Sequence, residues 1–281
     1  MEKDCDSLVP VVAIRVPTAE GAFAPREEAC FVTEEGHVTV EVREVGTYVL
    51  MCTPREVHAL AVGFLFSEGL IGALGDIATM ESPQDEGAVV RVELTREALG
   101  KVPGGGGRVV VSSAGGAGAS KAEERISRLP RVSQGMRVEA ELLGRVSRAL
   151  LARQEAFKRC GGTRAAMVFD ARGETLAFAE DMGRHNALDK AIGKRLLGEA
   201  SCCGCGVMLS GRVSLEMVAK CARAGVELMA AVSAPTSLAV EAARSTGITL
   251  CGFVREQRAS LFANPHRVRV AEVSREALTR A

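Results

Sequence analysis

Between residues 165 and 254, short apolar runs alternate with amphipathic stretches, and that alternation leaves few folds open to the chain. The segment AAMVFDARGETLAFA (165–179) reads as a hairpin with Ala-Arg-Gly in its turn. Then come a helix over 183–199, the strand GVMLSG (206–211) and the helix SLEMVAKCARAG (214–225), with Ser at its start and Gly at its stop. The strand VELMAAVSA (226–234), the helix TSLAVEAARSTG (236–247) and the strand ITLCGFV (248–254) complete the run. Before the hairpin, 137–159 has the period of one amphipathic helix closed by Gly161-Gly162. Such an order predicts a mainly parallel sheet with helices on its faces. Ligands of such sheets bind beyond the carboxyl ends of strands. Four junctions therefore carry weight: Glu180–Asn186, Ser210–Ser214, Ser233–Thr236 and Phe253–Arg258.

The first part of the chain reads as β-rich. VVAIRV (11–16), HVTVEVRE (37–44), TYVLMC (47–52) and AVVRVEL (88–94) are short, Val-rich and partly alternating. One helix interrupts them. Thr53-Pro54-Arg55-Glu56 has the form of a capping box with Pro in the first turn, Val57, Leu60, Ala61, Phe64 and Leu65 follow at helical spacing, and Gly69 suits the stop. His58 beside that stripe reads as structural. PGGGG (103–107) is a break leading into the strand RVVVSS and the loop SAGGAGA, and a boundary falls near Pro130. The chain thus divides into a β-rich part over 1–130, ending in the Gly-rich loop, and an α/β part over 131–281.

Charge and composition exclude several classes. Lys+Arg and Asp+Glu both number 35, there is no Trp and one Tyr, so a nucleic-acid scaffold or stacking platform is not expected. No apolar run approaches the roughly 20 residues of a membrane span, and the acidic N-terminus does not resemble a secretory signal, which predicts a cytoplasmic protein. Nine scattered cysteines suit reduced thiols.

The densest chemistry is EDMGRHNALDK (180–190). A helix N-terminus beyond Gly183 favours anions, and Arg184 and His185 suit a phosphate or a polar ring edge, against the plainer reading of a solvated helix start. LSGRVSLE (209–216) adds Arg212 at a second turn, with Ser214 as a capping residue, and Thr236 reads as an N-cap. FVREQR (253–258) presents Arg255 and Arg258 for a forked phosphate contact or a solvated turn. SCCGCG (201–206) has no second Cys or His pair to complete a metal site, so no metal is expected.

The strings TPREVHALAVGFLFSEGLI, EDMGRHNALDKAIG, SGRVSLEMVAKCARAGVELMAAVSAPTSLAVEAA and GITLCGFVREQRASLF together resemble the FdhD family of formate dehydrogenase accessory sulfurtransferases, from about Glu28 to His266. The resemblance implies a homodimer with a cytidine-deaminase-like three-layer α/β/α domain and a smaller β-rich part. It also implies transfer of persulfide sulfur from a cysteine desulfurase to the molybdenum (or tungsten) bis(molybdopterin guanine dinucleotide) cofactor used by formate dehydrogenase, with GDP as a mimic. In the family the stretch Phe253, Val254, Arg255, Glu256, Gln257, Arg258 lines the cofactor site, and a nucleotide cargo raises the weight of Gly183, Arg184, His185 and Arg212. Zinc deamination is disfavoured, since His185-Asn186-Ala187 lacks the Glu and Ser210-Gly211-Arg212 lacks the Cys pair such chemistry needs.

The chain departs from the family where the sulfur should sit. The loop after the VVVSS-like strand carries Cys-Gly-x-Cys-Gly in the family, its first Cys being the persulfide carrier, and the matching positions here are Ala114 and Ala117. A methyl group cannot replace a thiolate in sulfur exchange. Three readings stand open: a sulfurtransferase that has lost its loop thiols, a cofactor-binding chaperone without sulfur chemistry, and relay through Cys202, Cys203 or Cys205.

Overall fold

The computed structural model describes residues 7–18, 24–83, 88–102, 108–112 and 122–270. Alternating valines build the first sheet. β1 (Leu8–Arg15) and β2 (Arg26–Thr33) form an antiparallel ribbon, and β3 (Gly36–Val42) and β4 (Gly46–Cys52) form a hairpin. In β3, Val38, Val40 and Val42 face inward at the strand period of two. Helix α1 (Val57–Glu68), β5 (Ile77–Glu81), β6 (Val89–Leu94), the single turn α2 (Arg96–Leu99) and β7 (Arg108–Ser112) follow. The five strands stand in the order β5-β6-β3-β4-β7, and the buried valines of β3 and β6 pack with Leu60, Phe64 and Leu65 of α1.

The larger unit continues through α3 (Ala122–Ser127), β8 (Val138–Glu139), α4 (Ala140–Arg153), α5 (Glu155–Cys160), β9 (Arg164–Phe169), β10 (Thr175–Asp181) and α6 (Arg184–Leu197). It ends with β11 (Gly206–Leu209), α7 (Leu215–Arg223), β12 (Leu228–Ala231), α8 (Ser237–Thr246), β13 (Thr249–Arg255), β14 (Arg258–Ala263) and β15 (Val268–Arg269). Six strands lie in the order β10-β9-β11-β12-β13-β14. Ala165, Met167 and Phe169 of β9 pack on α4, while Ala166 and Val168 pack toward α6, α7 and α8, so helices cover both faces. Among the described residues no helix is long and apolar enough to cross a membrane.

Several expectations are corrected. The sheet is mixed rather than mainly parallel: only β11–β12 and β12–β13 are parallel pairs, because the β9–β10 and β13–β14 hairpins close it at both ends. The single helix over 137–159 is two, α4 and α5, parted at Gln154. Its second piece is held separately, because the Glu180 carboxylate accepts the N–H groups of Ala156 (3.1 Å) and Phe157 (3.2 Å). The capping box at Thr53 does not form. α1 starts at Val57, Glu56 is left-handed (φ 54°) and pairs with Lys194, and Thr53 is spent on contacts to β10 and α6. His58 is exposed and bonded to Ser82 (2.9 Å). Strands β2, β5 and β14 were not expected; β14 turns Phe253–Arg258 into a hairpin tip.

Two glycines decide how α1 meets α6. α1 and α6 cross at backbone contact: a Cβ on Gly63 would lie 1.8 Å from the Asp189 carbonyl oxygen, and one on Gly193 would lie 1.9 Å from that of Ala59. No other side chain fits either position.

Candidate functional site

A cleft of about 1710 Å³ lies at the carboxyl ends of β11 and β12 and extends to α1, α3 and α5. Drug-sized pockets hold about 300–1,000 Å³, so this cleft suits a larger or compound ligand. Three of the four junctions meet at it: Met182–Asn186, Ser210–Arg212 and Ser233 line its wall. At the fourth, Phe253 donates its N–H to the Ser233 carbonyl (3.2 Å) and Arg255 donates to the Val232 carbonyl (2.6 Å). The Phe253–Arg258 hairpin therefore backs the rim rather than lining the cleft. Arg255 and Arg258 face each other across the tip, and Phe253 is 45 % exposed.

A buried ion pair sets the start of α6. The Asp181 carboxylate lies 2.7 Å from Lys190 Nζ, both fully buried. One of its oxygens accepts from Gly183 N–H (2.8 Å) and Asn186 Nδ2 (3.0 Å), the other from Thr53 N–H (3.1 Å). Lys190 also donates to the Thr53 carbonyl (2.9 Å), and Asn186 to that of Met51 (2.7 Å). The chain after β4, the end of β10 and the first turn of α6 are thus fixed together, with Arg184 and His185 held at the cleft.

Arg164 and Arg184 flank Gly211, and Arg212 lines the same cleft. A methyl at Gly211 would lie 3.4 Å from Arg184 Cβ and 3.6 Å from Arg164 Cδ, and Arg212 is the next residue. None of the three has an ion-pair partner among the described residues, and Arg184 Nε is buried without a hydrogen-bond partner there. Arginines without an ion-pair partner beside a helix N-terminus favour a multivalent anion. Arg164 was missed in the sequence. No local signal marked it: only the antiparallel pairing of β9 with β11 brings its first residue to the end of β11.

His185 Nε2 lies 3.4 Å from Ser214 Oγ and 3.3 Å from Glu216 Oε2. Burial, then the charges of Arg184 and Lys220, push its pKa down to about 4, so the ring is neutral at pH 7. Ser214 consequently does not cap α7; its hydroxyl is turned to the imidazole. Thr236 does cap α8, accepting from Ala239 N–H (3.3 Å). Below this, Asp189 accepts from Ser67 Oγ (2.7 Å) and Lys220 Nζ (2.6 Å), and burial raises its pKa.

Ala114 and Ala117 lie outside the described residues. The described chain on either side of them adjoins the cleft: Ser112 pairs with Leu50, and Glu124, Arg125 and Arg128 follow, with Leu50 and all three of these lining the cavity. Cys202, Cys203 and Cys205 precede the amino end of β11, the opposite end from Ser210. Cys202 and Cys205 are buried, and burial raises both thiols, Cys202 to about 12. Neither is primed as a nucleophile.

A model of the FdhD/NarQ family matches residues 33–269. The sulfur carrier protein FdhD of Thermoplasma acidophilum is 36 % identical over 222 residues, 78 % of each chain. That of Anaeromyxobacter dehalogenans (strain 2CP-C) is 37 % identical over 263 residues, 86 % of this chain and 88 % of the relative. In fold the chain is similar to a candidate formate dehydrogenase accessory protein from Desulfotalea psychrophila, with a TM-score of 0.76 at 21 % identity, over 94 % of this chain and all of that one.

Proposed function

The chain belongs to the FdhD/NarQ family, and on that premise we propose that it serves formate dehydrogenase maturation by holding a molybdenum or tungsten bis(molybdopterin guanine dinucleotide) cofactor as cargo, without relaying sulfur through the loop after β7. The observation that carries the binding half is that Arg164, Arg184 and Arg212 line one cleft without an ion-pair partner among the described residues, the first two flanking Gly211. Phosphates supply the missing negative charge, and forked guanidiniums bind them in pairs. The cavity has room for more than one nucleotide unit. Gly183 and the first turn of α6 offer backbone N–H groups, neutral His185 offers a hydrogen bond rather than a charge, and the Phe253–Arg258 hairpin closes the rim.

The loss of relay rests on the sequence. To take sulfur from a cysteine desulfurase, a thiolate must attack the outer sulfur of the donor persulfide and release the donor thiolate, and Ala114 and Ala117 have no such atom. Substitution by Cys202, Cys203 or Cys205 is disfavoured, since they stand at the far end of β11 and two of them are buried with raised pKa. The same reading includes a cytidine-deaminase-like larger unit, a division near residue 130, a homodimer, and action in the cytoplasm.

The test is mass spectrometry after incubation with a cysteine desulfurase and cysteine. The chain as it stands is expected to gain no persulfide, and the Ala114→Cys/Ala117→Cys variant to gain one in the loop. GDP should bind both alike, and Arg184→Ala or Arg212→Ala should weaken it about tenfold. A persulfide on the unaltered chain would overturn the loss of relay, and failure to bind GDP would overturn the cargo site.

A further inference from the structure

Where α4 gives way to α5, Gln154 stands at the break with φ −77° and ψ 71°. The residue is 1 % exposed, and neither Oε1 nor Nε2 has a hydrogen-bond partner among the described residues. An interior amide with both its donor and its acceptor unpaired is costly, and a native fold that keeps one calls for an explanation. Gln154 lines the cleft. Beside it, Leu151 and Phe157 also line the cleft, and they are 43 % and 40 % exposed. Large apolar side chains left open at a cavity mark a binding surface. The Glu180 carboxylate joins this corner to the cleft arginines: it accepts from Phe157 N–H and from Thr163 Oγ1 (2.7 Å), and Thr163 immediately precedes Arg164.

We infer that this corner is a ring subsite, in which a planar heterocycle bearing a ring N–H beside an oxo group, as in guanine and pterins, stacks on Phe157 and pairs edge to edge with the Gln154 amide. The ring N–H donates to Oε1 and the ring oxo group accepts from Nε2. An attached phosphate chain runs toward Arg164, Arg184 and Arg212, so the inference rests on the cargo reading of the cleft. The amide atoms are shielded from water, so the side chain must turn toward the cleft to meet the ring. It breaks no hydrogen bond to a described residue in doing so.

Titration calorimetry with GDP and with inorganic pyrophosphate, on the full chain and on Gln154→Met and Phe157→Ala, tests this. Gln154→Met keeps the volume and removes the unpaired amide, so it should raise the melting temperature by about 2–4 °C. GDP should bind the unaltered chain at least about tenfold more tightly than pyrophosphate. Each substitution should erase most of that advantage and leave pyrophosphate unchanged. Equal binding of GDP to the unaltered chain and both variants overturns the ring subsite and leaves the anion site standing. Failure of the unaltered chain to bind either probe overturns both.

Discussion

At His185, burial and charge act in the same direction. The ring is largely enclosed and flanked by Arg184 and Lys220, which bring its pKa from 6.5 down to about 4. In the unfolded chain it titrates at the ordinary value. Between these two values the unfolded state binds more protons, so His185 makes stability fall as pH drops from about 6.5 toward 4, with no further loss below. The shift corresponds to roughly 3 kcal/mol at most. Replacing His185 with Gln should therefore flatten the fall in urea-unfolding stability across that window. A slope identical to that of the unaltered chain would show that the imidazole is not the titrating group. Thr53 carries a second lesson at this scale. Its type and spacing match a helix cap, yet its backbone and hydroxyl are engaged by Asp181, Lys190 and Met182, more than a hundred residues away. A local pattern could not show that competition, because a buried ion pair takes whichever polar groups the fold brings to it.

Among the elements, the α1–α6 crossing carries the most weight. It places the Gly183 end of α6 against the chain leaving β4, and it depends on Gly63 and Gly193 being without side chains. A Cβ at Gly63 meets backbone rather than a flexible side chain, so the helices must part. Gly63→Ala should cost about 3 kcal/mol and lower the melting temperature by roughly 6–12 °C. The loss should come with weakened nucleotide binding, since the α6 terminus moves with the crossing. A substitution that leaves both melting and binding unchanged would refute the close approach. Most of the strands and helices of the α/β part were legible from period and punctuation. The break at Gln154 was not, because nothing in 137–159 interrupts the apolar stripe. Glu180 imposes it from another strand.

For the whole molecule, the cleft joins parts of the chain that share no sequence neighbourhood: α1 and β4, α3, α5, and the turns after β10, β11 and β12. A ligand that binds only this assembled state stabilises it by mass action. GDP at a hundred times its dissociation constant should add about 2.7 kcal/mol and raise the melting temperature by roughly 5–11 °C. The paired variant Arg184→Ala/Arg212→Ala, at about tenfold loss each, should shift by only about 1–2 °C in the same thermal scan. A full shift in that variant would place the anion elsewhere.

What the sequence determined by itself is whatever depends on local period and local chemistry. This covers the strand–helix order of the α/β part, the crevice at the strand ends, and Gly183, Arg184, His185 and Arg212 along it; resemblance to known motifs adds the family and, with it, the thiols missing at Ala114 and Ala117. Only the tertiary structure decided that the sheet is mixed, that Arg164 joins Arg184 and Arg212 along the cleft, that the Phe253–Arg258 hairpin backs the rim, and that Gln154 is buried with nothing to bond. The reason is physical. Hydrophobic period reports which face of an element is buried, whereas charge balance and hydrogen-bond satisfaction depend on which groups meet across the fold.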